Sequence, residues 1–249
     1  MDEKKEMTVG EQLRKRLVYQ KKNGYDRMDP EETQAMEDYC RGYKEFLDAG
    51  KTERECVDRA MAMAEAAGFR PYTRGMELKA GDKIYRLNRG KSLMLAVMGK
   101  ESLEKGANIG AAHIDSPRLD LKPNPLYEDA ELAFFKTHYY GGIRKYQWGT
   151  MPLAIHGVFT RADGSSVSVC VGEDESDPVF CITDLLPHLG AEQNDRKLSE
   201  GIKAEELNVL IGSDAVEDAD IKEAVKLNTL MLLHEKYGIT ERDFTRAEI

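Results

Sequence analysis

The sequence predicts an α/β protein in which two amphipathic helices precede a series of short strands. Capping signals and apolar residues at helical spacing predict the helices between residues 29 and 68. Short apolar or alternating runs separated by Gly and Asn turns predict the strands. One strand-like run ends in a histidine and an aspartate. Open α/β sheets bind ligands at such strand ends, so the pattern also predicts where a site lies.

Both predicted helices begin with a capping motif. Asp29-Pro30-Glu31-Glu32 supplies an N-cap, a proline at the first helical position and acidic residues in the first turn, and Thr52 with Glu55 repeats the capping pattern. Apolar residues then recur at helical spacing until Gly50 and Gly68. We interpret the Met and aromatic stripes of both helices as core packing.

The middle of the chain predicts strands. Residues 83–87, 92–97 and 107–113 are strand-like, and a hairpin turn at Asn88-Arg89-Gly90 separates the first two. Arg89-Gly90-Lys91-Ser92 lacks the upstream glycine of a phosphate-binding loop, so it is interpreted as part of this turn. The run at 107–113 is rich in small residues, which predicts a buried strand.

A domain boundary is predicted at Pro123-Asn124-Pro125, because two prolines break regular structure and remove backbone donors. Residues 132–139, 153–160 and 167–171 then predict a β-rich second domain. Residues 221–237 predict a helix.

His113 and Asp115 lie two residues apart, so in an extended strand both side chains point to the same side. Two chemistries fit this placement. Both side chains bind one metal ion, or His113 binds it while Asp115 accepts the other imidazole N–H and fixes the tautomer. A third interpretation is a histidine satisfied by its neighbour with no ion, because two residues fall short of the three protein ligands of a catalytic zinc.

Five ordered motifs resemble those of the M18 family of zinc aminopeptidases, the aspartyl aminopeptidase and aminopeptidase I group. They are His113-Ile114-Asp115-Ser116-Pro117, Leu121-Lys122-Pro123, Tyr139-Tyr140-Gly141-Gly142, Pro152-Leu153-Ala154-Ile155-His156 and the run 235–244. The first matches H-x-D-S-P, the first metal-site motif of the family. The resemblance implies an incomplete α/β/α catalytic domain at 1–122, an inserted β-rich dimerisation domain at 123–240 and the start of a return to the catalytic domain at 241–249.

The resemblance also implies a chemistry. M18 enzymes are two-metal, usually di-zinc, hydrolases that remove the N-terminal residue of peptides, often an acidic one. By analogy His113 is a zinc ligand and Asp115 orients its ring. His156 matches a family histidine that reaches the active site of the partner subunit and contacts substrate. Zinc, a peptide substrate and a homo-oligomer are therefore expected, although other divalent metals are compatible with the site.

The family's bridging aspartate, catalytic glutamate and remaining metal ligands have no counterpart before Ile249. The sequence therefore resembles the front portion of such an enzyme. Two cations about 3.5–4 Å apart need bridging and flanking carboxylates, which one imidazole cannot supply. We expect this chain alone to bind zinc weakly and to hydrolyse no peptide at a useful rate. The alternative is a non-catalytic assembly or regulatory module, or a truncated remnant of the enzyme.

Composition disfavours several other classes. The net charge of −9 disfavours a nucleic-acid partner, since phosphate binding depends on clustered Lys and Arg. No apolar run reaches the roughly 18 residues of a membrane helix, and the first 25 residues lack the apolar core of a secretory signal, so a cytoplasmic protein is expected. The four cysteines have no C-x-x-C or dense spacing and are expected to be reduced thiols. The sequence contains no G-x-S-x-G elbow, so a serine nucleophile is not indicated.

The other polar features receive structural interpretations. His138 and His188 are interpreted as structural, and His234 as a residue that favours the dipole at the carboxyl end of its helix when protonated. The acidic run at 172–178 does not match the spacing of an EF-hand and is interpreted as a solvated loop.

Overall fold

A computed structural model describes residues 7–217 and 221–249, which form helices and three small sheets. The helices are α1 (Val9–Leu17), α2 (Pro30–Ala49), α3 (Glu53–Ala66), α4 (Ala191–Asn194) and α5 (Ala224–Tyr237). The strands are β1 (Arg70–Pro71), β2 (Lys83–Asn88), β3 (Ser92–Val97), β4 (Arg118–Asp129), β5 (Leu132–Tyr140), β6 (Ile155–Thr160), β7 (Ser166–Val171), β8 (Cys181–Ile182), β9 (Val209–Gly212) and β10 (Ala247–Glu248). Short 3-10 helices lie at Leu103–Lys105, Lys145–Trp148, Leu198–Glu200, Ala204–Glu206 and Glu241–Arg246.

The chain forms two compact units, one ending at Ala49 and the other running from Gly50 to Ile249. The first contains α1 and α2. The predicted cap of α2 is confirmed, since the Glu32 backbone N–H donates to Asp29 Oδ1 at 2.8 Å. Core packing is the wrong interpretation of its apolar stripe, because α2 has no buried residue and Tyr39 is 76% exposed. Helical periodicity reports that a face is apolar and does not report what covers it.

In the second unit, α3 lies beside the sheet β1-β2-β3. Its predicted capping box is present, with Thr52 as N-cap and Glu55 as the third helical residue. The Tyr85 hydroxyl donates to Glu65 Oε1 at 2.6 Å and thereby joins β2 to α3. The predicted β2–β3 hairpin is confirmed, and its turn residues Arg89 and Gly90 both have positive φ, as a tight hairpin turn requires.

The prediction of a buried strand at 107–113 is wrong. The structure assigns these residues no strand, and Ile109 is 86% exposed. Small residues permit an extended conformation, but a strand also needs a neighbour that accepts and donates backbone hydrogen bonds. No segment of the described chain takes that place. His113 and Asp115 consequently lie in an irregular segment that leads into β4.

The remaining strands form two sheets, ordered β4-β5-β9-β8 and β10-β6-β7, which share one hydrophobic core. Phe244 links them, since its ring lies 5.4 Å from that of Phe135 on β5 and 5.1 Å from that of Phe159 on β6. At Gly157 an added Cβ would collide with the Glu248 carbonyl oxygen and with Ile249, so β6 needs a glycine where β10 approaches it.

The prolines at 123 and 125 lie inside β4 rather than in a linker between elements. The pairing of β4 with β5 shifts register between Leu121 and Leu126, and such an irregularity accommodates residues that cannot donate to the ladder. Two prolines therefore do not by themselves end a strand, and the domain boundary at Pro123-Asn124-Pro125 stays a prediction. The division at 1–122, 123–240 and 241–249 stays a prediction.

Helix α5 confirms the helix predicted at 221–237, with a later start. It ends at Gly238, which has the left-handed conformation common after helices. His234 lies in the last turn, where its Nδ1 is 3.0 Å from the Ile239 carbonyl oxygen. None of the helices in the described part of the chain combines the length and apolarity needed to cross a bilayer.

Candidate metal-ligand corner and histidine bridge

His113 and Asp115 make direct contact. His113 Nδ1 lies 2.9 Å from the Asp115 carbonyl oxygen and 3.2 Å from Asp115 Oδ1. Both partners are acceptors, so the geometry favours the tautomer with a proton on Nδ1. Nε2 then carries a lone pair, on a side chain that is 83% exposed. Carboxylates and backbone carbonyls both orient metal-ligating imidazoles in this way, and Asp115 offers one of each to His113.

Tyr140 is the third residue of this site, and we call His113, Asp115 and Tyr140 together the metal-ligand corner. Its hydroxyl donates to Asp115 Oδ2 at 2.9 Å. That hydrogen bond is the main cause that lowers the pKa of Asp115, aided by a backbone hydrogen bond and by His113, and it also raises the pKa of Tyr140. Asp115 is therefore ionised near neutral pH and remains an acceptor for the imidazole N–H.

Arg118 supports the tyrosine from the start of β4. Its guanidinium lies 4.4 Å from the centroid of the Tyr140 ring, within the range of a cation–π contact. The same side chain pairs with Asp120 at 2.7 Å and with Glu53 on α3 at 3.1 Å. These contacts connect α3, β4 and the end of β5 around Asp115.

The described residues do not supply a complete zinc site. Across residues 7–217 and 221–249, no group of three or more His, Cys, Asp or Glu side chains is placed to hold a metal ion. A catalytic zinc takes three protein ligands and keeps one position for water or substrate. The donor set present fits one corner of such a site, and no step of a metal-assisted reaction follows from it alone.

His156 lies elsewhere, on β6, between two carboxylates. Its Nδ1 is 2.8 Å from Glu55 Oε1 and its Nε2 is 2.9 Å from Glu173 Oε1. Only 13% of the side chain is exposed. Cys170, its cross-strand neighbour on β7, places Sγ 3.9 Å from Nε2. Within the described part of the chain, His113 and His156 share no hydrogen-bond partner.

The Glu55 carboxylate both caps the start of α3 and contacts the His156 ring. Its Oε2 accepts from the backbone N–H groups of Lys51 and Thr52, and its Oε1 faces His156. Burial raises the pKa of Glu55, but the hydrogen bond and charge of His156, with the hydrogen bonds of Thr52, outweigh burial and lower it overall. Glu55 is therefore an anion beside His156 near neutral pH.

The acidic run at 172–178 is organised by its own hydrogen bonds. Asp177 accepts from the Gly172 backbone N–H at 2.8 Å, and Asp174 accepts from Ser176. Most of these residues are exposed, as expected of a solvated loop. Its Glu173 is the member that turns towards His156. The cysteines Cys40, Cys56, Cys170 and Cys181 are free.

An apolar cavity of about 750 Å³ lies between the β4-β5-β9-β8 sheet, the β10-β6-β7 sheet and α5. Its walls include Phe135, Phe159 and Val169, and its lining contains neither of the two candidate site histidines nor Asp115. The residues that carry chemistry therefore lie outside this cavity, and we do not assign it as the active site.

Sequence reasoning missed Tyr140, Glu55 and Glu173 as partners of the site residues. Tyr140 lies in a motif that carries the family resemblance, but nothing in that motif indicates that its hydroxyl reaches Asp115. Glu55 is recognised from the sequence only as a helix cap. Glu173 belongs to a run of similar acidic residues, and the sequence does not distinguish it from its neighbours.

A mixed α/β unit that presents a carboxylate-oriented imidazole is typical of metal-dependent hydrolases. The family model described as "Aminopeptidase I zinc metalloprotease (M18)" matches residues 46–249, and the chain belongs to that family. The resemblance read from the five motifs is confirmed. So is the predicted fold class, through solved structures of the same family.

Several relatives and solved structures are similar to this chain. The "Probable M18 family aminopeptidase 1" of Clostridium acetobutylicum is 50% identical over 237 residues, which are 94% of this chain and 51% of that protein. The crystal structure of an M18 family aminopeptidase from Thermotoga maritima has a TM-score of 0.84 and 42% identity, covering 92% of this chain and 50% of the other. The mApe1 dodecamer of S. cerevisiae has a TM-score of 0.56 at 17% identity over 85% of this chain and 48% of its own, which shows the fold alone. The chain spans about half the length of the curated relatives that it matches.

Proposed function

We propose that this chain supplies one metal-ligand corner of a zinc-dependent aminopeptidase that hydrolyses the N-terminal residue of peptides. The observation that carries the proposal is the contact of His113 Nδ1 with Asp115, which leaves Nε2 available to a metal. Membership of a zinc metalloprotease family supports zinc as that metal. Bound zinc would supply an activated water, and two ions per complete site remain a prediction.

The chain's own residues have limited roles in this proposal. Asp115 keeps the proton of His113 on Nδ1, and Tyr140 holds Asp115 in place through its hydroxyl. His156 is proposed to contact substrate in the site of a partner subunit. A homo-oligomer is supported by the dodecamer of the S. cerevisiae mApe1 fold relative. The absence of a nucleic-acid partner is supported by the net charge of −9, and a cytoplasmic location remains a prediction.

The second candidate is a non-catalytic assembly or regulatory module. It is favoured by one observation, that the described residues place no group of three metal-binding side chains together. Activity of a completed protein discriminates between the two candidates.

The test joins this full chain to the part of the Clostridium acetobutylicum relative that lies outside the matched region. Zinc content and hydrolysis of a panel of aminoacyl p-nitroanilides, with acidic and neutral residues, are measured for the chain alone and for the chimera. We expect zinc-dependent hydrolysis by the chimera and none by the chain alone. A folded chimera that binds zinc and cleaves no member of the panel contradicts the enzyme proposal. Metal-dependent turnover by the chain alone contradicts the incomplete site.

Replacement of His156 by alanine in the chimera is expected to lower kcat/KM about ten- to hundredfold, because a hydrogen bond to a charged group contributes about 1.5–3 kcal/mol. Zinc content is expected to stay unchanged, since His156 does not contact the His113 corner. His188→Ala, at an exposed histidine, is the matched control. An equal loss of zinc and activity in the His156 variant contradicts a role towards substrate.

A further inference from the structure

The two contacts of His156 place a requirement on its protonation. Each ring nitrogen faces a carboxylate oxygen, at 2.8 Å from Glu55 and 2.9 Å from Glu173. A neutral imidazole has a single N–H and can donate to only one of them, and its other nitrogen is an acceptor. Two acceptors facing each other at these distances repel. With both carboxyl groups ionised, both contacts are favourable together only when the ring is an imidazolium.

We propose that Glu55 and Glu173 are positioning residues that hold His156 as an imidazolium bridging α3 and the β6–β7 sheet. In this position the ring has no N–H left for another acceptor. This inference rests on the proposed function, in which His156 contacts substrate. His156 can then reach a substrate only after at least one of the two carboxylates has released it. The contacts with Glu55 and Glu173 therefore determine whether the His156 ring is available to a substrate, as well as where the ring lies.

The two carboxylates that contact the ring, Glu55 and Glu173, both favour the cation. Glu55 approaches from the first turn of α3, and Glu173 from the loop after β7. Cys170 on β7 is a neutral thiol, because burial and the charges of Glu173 and Glu55 raise its pKa. The other charged groups near Cys170 are Asp177 of the loop and Lys236 of α5, which pair with each other at 3.5 Å.

The two carboxylates differ in exposure. The His156 side chain is 13% exposed, and burial alone disfavours a charged ring, so the cation depends on the two carboxylates. Glu173 is 47% exposed and Glu55 is 33% exposed. Glu55 is also fixed by the capping hydrogen bonds of α3. Glu173 lies in a loop and is the more exposed partner. We expect Glu173 to be the carboxylate that releases the ring.

The test observes the histidine rings of the full chain by ¹⁵N NMR at pH 7, with exposed His188 as an internal reference. Glu55→Gln and Glu173→Gln each remove one charge, and Glu175→Gln is the control in the same acidic loop. Glutamine also fits the third position of a capping box, so Glu55→Gln retains the start of α3. The spectrum needs no enzymatic activity, so its outcome is independent of the chimera assay.

We expect both ring nitrogens of wild-type His156 to show the protonated signature. Each Gln variant should shift the imidazolium-to-imidazole ratio of His156 about tenfold or more towards the neutral ring, as the loss of a hydrogen bond to a charged group implies. Glu175→Gln should leave the ratio unchanged. An unprotonated ring nitrogen in the wild type overturns the proposal. So does an unchanged His156 spectrum in both folded Gln variants. If Glu55→Gln does not fold, Glu173→Gln alone decides between the same two results.

Discussion

Replacement of His113 by alanine is expected to lower the zinc-dependent kcat/KM of the chimera by at least about 100-fold. Loss of a group that merely orients a ligand already costs about 10–100-fold in metal affinity or activity, and loss of the ligand itself costs more. His113 is the one side chain of this corner whose free nitrogen faces outward. Zinc per chain by elemental analysis and the rate of p-nitroaniline release measure the two effects.

Two further variants test whether the effect is specific to His113. Asp115→Asn keeps the shape of the orienting side chain and should lie between the wild type and His113→Ala in both activity and zinc content. His138→Ala removes a histidine that stacks on Tyr139 and has no role in the proposed site. Retention of zinc and full turnover after loss of His113 excludes it as a ligand.

Phe159→Ala is expected to lower the free energy of unfolding by about 3–5 kcal/mol, the usual cost of deleting a buried phenylalanine ring. Phe159 is 1% exposed, and its ring packs edge-on against Phe244 at 5.1 Å in the core shared by the β4-β5-β9-β8 and β10-β6-β7 sheets. A loss of this size is a large part of the stability of an ordinary domain. Urea unfolding followed by tyrosine fluorescence and circular dichroism measures it.

The matched comparison is Leu186→Ala, which removes a large apolar side chain that is 66% exposed. It should change stability by less than about 0.5 kcal/mol, as surface substitutions usually do. Phe159→Leu should lie between the two. Equal urea midpoints for Phe159→Ala and Leu186→Ala contradict the packing assigned to the shared core.

The elements that were predicted well depend on neighbouring residues. The caps at Asp29 and Thr52 and the turn at Arg89-Gly90 use signals contained within about four residues, and each is present in the structure. Alternation of apolar residues likewise located β5, β6 and β7 within a few residues of their ends. Local hydrogen bonding and periodicity fix these elements, so the sequence is sufficient to find them.

The errors share a different cause, since each depends on what another segment does. Residues 107–113 have the composition of a buried strand, yet a strand also needs a paired neighbour. The stripe of α2 is apolar, yet no residue of α2 is buried. Pro123 and Pro125 likewise do not end β4, because the strand shifts its register against β5 between Leu121 and Leu126. Periodicity contains no information about these partners.

The contacts of the candidate site also differ in how far apart the two residues lie in the sequence. His113 and Asp115 are two residues apart and contact each other, although they lie in an irregular segment rather than in the strand on which the prediction rested. Tyr140 lies 25 residues from Asp115, and Glu55 lies 101 residues from His156. Family motifs identify the histidines because they summarise many sequences. The partners that determine how those histidines behave are visible only after the chain has folded.

The two oxygens of Glu55 have a consequence for how the second unit responds to perturbation. One oxygen completes the first turn of α3 while the other faces the imidazole of His156, so a single anion serves both. Thermodynamic linkage makes such an arrangement reciprocal. Anything that frays the beginning of that helix weakens the hold on the ring, and withdrawal of the ring loosens the helix start by the same free energy.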